Sequence, residues 1–554
     1  MPETITSILR GLSANRSGQG FTFVDSQGQE SKFSFSRIAE LAEHRGRQFL
    51  AAGLRPKDRA AVIIGDNEEF VLSFLGCVAV NIIPIPIYPP PPMGKKERQL
   101  QAALEIMHVG DVKGLISTEE IIHLLEAIRT TGPELPRRLI ISELLGIEPS
   151  QEILSLPQPE DTCFIQFTSG STSLPKGVIV SHQSLVANTH AIVHDGLRAH
   201  PDRDRGVSWL PLYHDMGLIG FVLAPIVGRI PVVLLPTFSF VRRPGLWMKA
   251  VHKYRATISF GPNFAFALAT KRAKKVVKGD MDLSCLRVLG CGAEPISPSV
   301  MRDFSDAYAE HGFNSSSLTP SYGMAEACLA ISFEPLDEAL FTIHIDKEVL
   351  QAEGRVERVD STNESAQEIV ACGHSIEGHN IEIRSESGER LGEDQLGEVV
   401  FSGPSVTHAY FENAEATAQS SREGKLYTPD LVFFHQARLF ICGRKKDLII
   451  LNGKNYHPEI LEWVVESNAE IRQGSAVCFS VSGQNTEKLI VIAETADTRN
   501  EELRTRIRAD LSREFGLRTE KISFVKPGQL PKTSSGKRQR QKTKALYEAR
   551  NWSS

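Results

Sequence analysis

The run Cys163-Phe164-Ile165-Gln166-Phe167-Thr168-Ser169-Gly170-Ser171-Thr172-Ser173-Leu174-Pro175-Lys176-Gly177 passes from an apolar stretch into small hydroxyl-bearing residues, glycine and a lysine. Small residues with glycine let backbone N–H groups turn inward, and hydroxyls with an ammonium complete a cradle for a polyphosphate. No Gly-Lys-Ser/Thr stands at the Walker A offset, so the order Pro175-Lys176-Gly177 describes a different nucleotide-phosphate loop. Alone, such a segment is only a turn. Its meaning depends on what accompanies it.

Around this loop, from Phe21 to about residue 290, short β-rich runs (60–64, 177–180, 231–235, 257–260) alternate with helical patterns such as 36–52. That alternation predicts α/β layers on parallel sheets. The apolar stretches 71–88 and 217–236 approach membrane-spanning length, but Pro84, Pro86, Pro225, Arg229 and Pro231 interrupt them, which suits a buried helix, a turn and a buried strand. From Glu334 to Glu368 the text is polar and acid-rich without sustained periodicity, as expected of an insertion or long surface segment. Short strands with Gly-containing turns (381–384, 397–401, 439–442) then predict a β-rich subdomain. The last unit reads strand (448–451), helix from Pro458, strands (475–481, 488–493) and a helix from Asn500 with Leu503, Ile507, Leu511 and Phe515 on one face. The fold class is therefore α/β: a large N-terminal domain (1–445) of layered α/β subdomains plus a β-rich subdomain, with an insertion at about 334–368, then a small α+β domain (446–554).

The 554 residues carry 62 Lys/Arg against 67 Asp/Glu, a formal charge of −5, with 41% hydrophobic and 23% charged residues. This excludes intrinsic disorder and gives no concentrated basic surface for nucleic acid. Eight scattered cysteines form no CxxC pair and no zinc spacing, as in a reduced cytoplasmic protein. The N-terminus lacks the pattern of a secretory signal. From Asp447 onward there are 18 Lys/Arg and 14 Asp/Glu, so the last domain alone is positive.

The loop's company, in chain order, is Gly292-Ala293-Glu294-Pro295, Tyr322-Gly323-Met324-Ala325-Glu326, Thr428-Pro429-Asp430, Gly443-Arg444-Lys445-Lys446-Asp447 and Pro531-Lys532-Thr533-Ser534-Ser535-Gly536-Lys537. Together these resemble the adenylate-forming superfamily of acyl-CoA synthetases, luciferases and nonribosomal adenylation domains, over roughly residues 20 to 545. Within it, Trp209-Leu210-Pro211-Leu212-Tyr213-His214-Asp215-Met216-Gly217-Leu218-Ile219-Gly220 and Pro84-Ile85-Pro86-Ile87-Tyr88-Pro89-Pro90 are similar to the fatty acyl-AMP ligases. The polar segment after Glu334 falls where those ligases carry an insertion that acyl-CoA synthetases lack.

The resemblance implies a carboxylate attacking the α-phosphorus of ATP, a reaction helped chiefly by positioning and by cations. It assigns Thr168, Ser169, Gly170, Ser171, Thr172 and Lys176 to the β- and γ-phosphates, and Glu326 with Thr172 to Mg²⁺. Tyr322 would stack on adenine beside Gly292, Ala293 and Glu294, with Gly323, Met324 and Ala325 lining the same nucleotide site. Asp430 would accept both ribose hydroxyls, with Arg444 near, and Lys446 would be the hinge of a mobile small domain. Lys537 would bridge the substrate carboxylate and the α-phosphate; without its motif it would read as a surface lysine in a basic tail. His214 joins Lys537 and Glu326 as a catalytic candidate, and Met216, Gly217, Leu218, Ile219, Gly261, Pro262 and Asn263 would wall the acyl chain.

The implied partners are a fatty acid and, in trans, the phosphopantetheine thiol of an acyl carrier protein, with no nucleic acid and no integral membrane segment. A fatty acyl-CoA synthetase is the alternative, since it shares every adenylation motif, and a non-catalytic adenylate-binding protein is a third reading. Three positions depart from the family pattern. Pro429 stands where a glycine is common and cannot take positive φ, which predicts an altered ribose-side turn. Ser173 replaces a glycine, and His374-Ser375 follows Cys372-Gly373 where a basic residue and proline are common.

Overall fold

In the computed structural model the described residues are 3–13, 18–90, 96–129, 134–168, 175–273, 280–451, 454–482, 487–533 and 536–549. Near the N-terminus, strands Ile83–Pro86, Arg59–Ile63, Gly114–Ser117 and Arg137–Ile140 lie in that order, all parallel. Pro84 and Pro86, which lack a backbone donor, fall on an edge strand. The preceding helix, Asn67–Ala79, is buried from Phe70 onward. The first apolar stretch is thus a core helix and an edge strand, and no described helix is long and apolar enough to cross a membrane.

The segment 177–180 does not join a parallel sheet. Strands β1 (Thr162–Thr168) and β2 (Lys176–Ser181) form a two-stranded antiparallel ribbon, with Thr168 opposite Lys176. A loop this short returns the chain on itself, whereas a parallel neighbour needs a crossover of about a dozen residues.

The largest sheet runs His374–Ser375, Ala330–Phe333, β3 (Leu318–Gly323), Val288–Cys291, Ile258–Gly261, Gly206–Ser208, Val232–Leu234, Gly20–Val24 and Glu30–Ser34. The six strands from β3 to Gly20–Val24 are parallel, and antiparallel strands close both edges. The chain leaves the parallel strands at Gly261, Cys291 and Gly323, so the segments that follow converge at their carboxyl ends, where open α/β sheets bind ligands.

The segment 334–368 is built rather than loose. Thr342–Asp346 pairs antiparallel with Ala366–Val370, and the helix Lys347–Glu353 between them is capped by the Asp346 carboxylate, which accepts from the Glu348 and Val349 N–H groups. Ile343, Ile345, Leu350 and Ile369 pack against Leu431, Phe433 and Phe440. Burial alternates along Thr342–Asp346, a period-two signal hidden by its acid-rich flanks.

The β-rich part joins Asn380–Arg384, Gly397–Ser402, β4 (Lys425–His435) and Ser421–Arg422, and β5 (Arg438–Arg444) pairs with β4. A 3₁₀ turn, Lys445–Asp447, follows. Beyond it, helices α1 (Pro458–Glu466) and α2 (Glu501–Phe515) pack Leu461, Val465, Leu503, Ile507 and Leu511 against the three-stranded sheet of Ala476–Ser482, Glu487–Glu494 and Thr519–Val525. Lys347 reaches across to this last part: its ammonium donates to the Glu514 carbonyl at 2.9 Å and lies 5.0 Å from the Phe515 ring centre. That carbonyl is at the carboxyl end of α2, where a cation is favoured.

Candidate active site

One cleft of about 1870 Å³ collects most of the residues singled out in the sequence. One corner is set by β4 and β5, whose register puts Arg444 opposite Asp430. The Arg444 Nε donates to Asp430 Oδ1 at 2.8 Å, and the Tyr322 hydroxyl donates to Oδ2 at 2.5 Å. Both carboxylate oxygens are thus aimed by fixed donors, and Asp430 is only 4% exposed. The ion pair raises the Arg444 guanidinium above its usual range, while burial and then the facing carboxylate push the Tyr322 phenol up.

Pro429 does not break this corner. Residues 425–435 are one extended strand, with Thr428 and Asp430 buried and Pro429 facing out. The expected turn is absent, so proline's fixed φ is compatible with the backbone there.

Gly292 and Ala293 follow their strand in a tight turn. Ala293 has φ +72°, and a Cβ on Gly292 would sit 2.9 Å from the Ser321 carbonyl oxygen. Glu294 has a structural task as well: its Oε1 accepts the Phe264 N–H at 2.8 Å. After β3, Ala325–Ala327 forms a 3₁₀ turn and Cys328 takes φ +63°, ψ −67°, with the Leu329 N–H donating to the Ala327 carbonyl at 2.9 Å. This is a γ-turn of the rare, strained hand. It presents Glu326, whose Oε1 accepts the Tyr410 hydroxyl at 2.7 Å, while the Lys176 ammonium sits 5.4 Å from the Tyr410 ring centre. Thr168, Lys176, Tyr410 and Glu326 therefore come together at one end of the cleft; Ser169, Gly170, Ser171 and Thr172 lie outside the described residues.

Lys537 enters from the opposite side. It lines a small cavity with Trp209, His214, Gly217, Pro262 and Ala293, and burial lowers its pKa against the pull of Asp215. His214 is ion-paired to Asp215 through Nδ1, and Asp215 also accepts the Met216 N–H at 2.7 Å. Burial opposes ionisation of Asp215, but His214, Lys537 and that N–H outweigh it and bring the carboxyl down to about 2. Asp215 and Tyr410 were not singled out in the sequence; Asp215 sat inside a quoted motif, whereas Tyr410 carried no local signal.

The same cleft continues into an apolar pocket past Met216, Gly220, Phe221, Phe260, Leu268 and Phe333. Phe221 and Phe333 each hold an edge-on contact with Phe260, ring centres 6.3 Å apart. Two π-helical turns, Ala191–Gly196 and Ile219–Leu223, form part of its wall, a distortion common at functional sites. The expected wall is corrected in part. Leu218 and Ile219 are fully buried on the core side of their helix, and Gly261 is packed against Trp247, where a Cβ would come within 2.8 Å of the indole. The Asn263 side-chain Oδ1 accepts the Ser297 N–H at 3.0 Å. None of these four lines the cleft; helical phase turns Met216, Gly220 and Phe221 inward instead. Lys446 lies in the 3₁₀ turn after β5, and its carbonyl accepts from Gln541 at 3.2 Å.

A cleft at the carboxyl ends of parallel strands, an oriented carboxylate and a lysine delivered by a C-terminal unit define an adenylate-forming ligase. Comparison with known proteins agrees: residues 13–411 match the AMP-binding enzyme family, and residues 446–553 match the AMP domain of Disco-interacting protein 2-like proteins. The chain belongs to the AMP-binding enzymes, and such enzymes use ATP. It is similar to a Caulobacter vibrioides protein provisionally named an acyl-CoA synthetase (35% identity, covering 93% of this chain and 90% of the other). It is also similar to the medium-chain-fatty-acid–[acyl-carrier-protein] ligase TtuA of Teredinibacter turnerae (29%, 93% and 88%). A structure from a study of fatty acyl-adenylate ligases from E. coli and L. pneumophila superposes with a TM-score of 0.92 at 32% identity, covering 100% of this chain and 98% of that one.

Proposed function

We propose that this protein is a fatty acyl-AMP ligase. The observation that carries the reading is that one cleft is lined both by Asp430, Tyr322 and Lys176 and by the apolar Met216, Phe221, Phe260 and Phe333, with Lys537 lining it as well. A fatty-acid carboxylate oxygen attacks the α-phosphorus of ATP, the bond to the β-phosphate breaks and pyrophosphate leaves. A thiol sulfur then attacks the acyl carbonyl, AMP departs and the thiol proton passes to solvent. In the first step the Lys537 ammonium offsets charge on the carboxylate and α-phosphate, Lys176 holds the β- and γ-phosphates, and Asp430 fixes the ribose. Tyr322 and the Gly292-Ala293 turn flank the adenine.

Glu326 suits Mg²⁺, a hard cation that takes carboxylate oxygens: its Oε1 accepts one hydrogen bond and its side chain faces the phosphate end. A bound Mg²⁺ would supply charge neutralisation on phosphate oxygens. The second expected ligand, Thr172, lies outside the described residues.

Residues 446–554 act in this reading as a unit that pivots near Lys446 so one cleft serves both half-reactions. The acceptor is the phosphopantetheine thiol of an acyl carrier protein in trans, consistent with the name of the Teredinibacter relative, and the setting is cytoplasmic. The name of the Caulobacter relative favours the second reading, transfer to CoA. Fatty-acid-dependent exchange of pyrophosphate into ATP tests the first half-reaction, and exchange that no fatty acid stimulates would sink the proposal.

A further inference from the structure

The face of α1 that turns inward carries Glu459, Glu462 and Glu466, three to four residues apart and each under 5% exposed. Carboxylates are rarely buried unless paired, and here their partners come from the segment that carries Lys537. Arg538 Nη1 bridges Glu462 at 2.9 Å and Glu466 at 3.0 Å. Arg540 grips Glu462 with two donors, Nε at 2.8 Å and Nη2 at 2.7 Å, and its Nη1 pairs with Glu459 at 2.8 Å and with Asp447 of the 3₁₀ turn at 3.3 Å. The carboxylates are anchored in turn, since Glu462 accepts the Cys478 N–H at 3.1 Å and Glu466 the Ala476 N–H at 2.9 Å.

Lys537 sits immediately before this grip. Residues 531–533 and 537–539 pair with each other: the Thr533 N–H donates to the Lys537 carbonyl at 2.7 Å, the Lys537 N–H to the Thr533 hydroxyl at 3.0 Å, and the Gln539 N–H to the Pro531 carbonyl at 3.0 Å. At Gly536, φ +86°, a Cβ would come within 3.3 Å of the Phe264 ring, so Gly536 lies close against the large body. Residues 537–539 are extended before the helix Arg540–Glu548 begins, so Lys537 and Arg538 point to opposite sides. Arg538 and Arg540 are held on the α1 side, and Lys537 turns toward His214 and Ala293.

We propose that Arg538 and Arg540 are positioning residues for Lys537: the buried carboxylates of α1 fix the arm, and the Arg540–Asp447 pair ties its aim to the turn at which the C-terminal unit pivots. This rests on the reading of the protein as an acyl-adenylate-forming enzyme. The planar guanidinium fork makes the Glu462 contact bidentate, which a lysine cannot reproduce. A small misplacement of a catalytic group costs up to about a hundredfold in rate.

The test is a double-mutant cycle on single-turnover acyl-adenylate formation from ATP and a medium-chain fatty acid, with thermal midpoints recorded alongside. Arg540→Lys is expected to lower the rate roughly tenfold with Lys537 present but by less than about twofold in the Lys537→Ala background, because a positioning residue has nothing left to aim. Equal fold-losses in both backgrounds, or no loss in either, overturn the inference. Should Arg540→Lys fail to fold, the same cycle is run with Asp447→Asn, which removes one pair at the margin of the network, with the same two outcomes. Wild-type protein that forms no adenylate overturns the functional reading and this inference with it, whereas an active wild type with equal losses overturns the inference alone.

Discussion

Asp430 is held by two donors, with Arg444 and Tyr322 each donating to one of its oxygens. Asp430→Asn keeps the shape but removes the charge, and a hydrogen bond to a charged group contributes about 1.5–3 kcal/mol. The expected outcome is a loss of roughly 10- to 100-fold in kcat/KM for ATP in pyrophosphate exchange. Lys537 gives a prediction in pH. Burial lowers its pKa, so the ammonium that the reaction uses is lost at a lower pH than for an ordinary lysine. Adenylation therefore falls on the alkaline side below the usual lysine range, and Lys537→Arg, which stays charged, is expected to be slow but to lack that limb. An identical limb in both proteins would assign it to another group. These residues were singled out in the sequence through short motifs that resemble the family's, and the structure gathers them in one cleft. Asp215 was not, since its role arises from its ion pair with His214 and its proximity to Lys537, which sequence spacing does not show.

At the scale of elements, the sequence displays strands and helices more clearly than pocket walls. The buried helix and strand expected within 71–88 from the interrupting prolines are there as Asn67–Ala79 and Ile83–Pro86, and the final α2 follows from periodicity, but the apolar pocket joins segments from Met216 to Phe333, and nothing in their spacing says which side of a helix faces empty space. Leu218 and Phe221 are equally apolar, yet only the second lines the pocket. Gly220 is the informative position: a Cβ there would sit 3.6 Å from Leu329. Gly220→Leu is expected to shift the preferred fatty acid to shorter chains while leaving the KM for ATP within about twofold, measured over acids of graded length. Unchanged chain preference would show that this stretch does not bound the acyl group. The helix α1 offers a second test. Its N-cap, His457, is buried, and burial, reinforced by Arg540, lowers its pKa to about 4 from an ordinary 6.5. The folded state thus favours neutral His457, so stability is fully present above pH 6.5 and is lost as pH falls toward 4. Denaturant midpoints should decline across that window, and His457→Gln should lessen the decline.

For the whole molecule, the question is how two bodies share one cleft. The large body supplies Lys176, Glu326 and Asp430, the C-terminal part supplies Lys537, and Lys347 of the 342–370 unit binds the end of α2. The segment 334–368 was expected as an insertion or long surface segment without sustained periodicity; its alternating Ile343 and Ile345 were masked by the acid-rich text beside them. The positive balance of the C-terminal part fits an acidic carrier protein, but its arginines are not equally available. Arg504 is engaged with Glu501 and lies over Phe524, whereas Arg508 is exposed on α2. Arg508→Glu combined with Arg513→Glu is expected to slow acyl transfer to a holo carrier protein and to spare adenylate formation; transfer at the wild-type rate would remove α2 from the docking face. The central claim concerns the product, and the most direct measurement is mass spectrometry of the species formed from ATP, Mg²⁺, free CoA and fatty acids of graded length. Acyl-adenylate accumulating without acyl-CoA is the predicted result, and abundant acyl-CoA would contradict it.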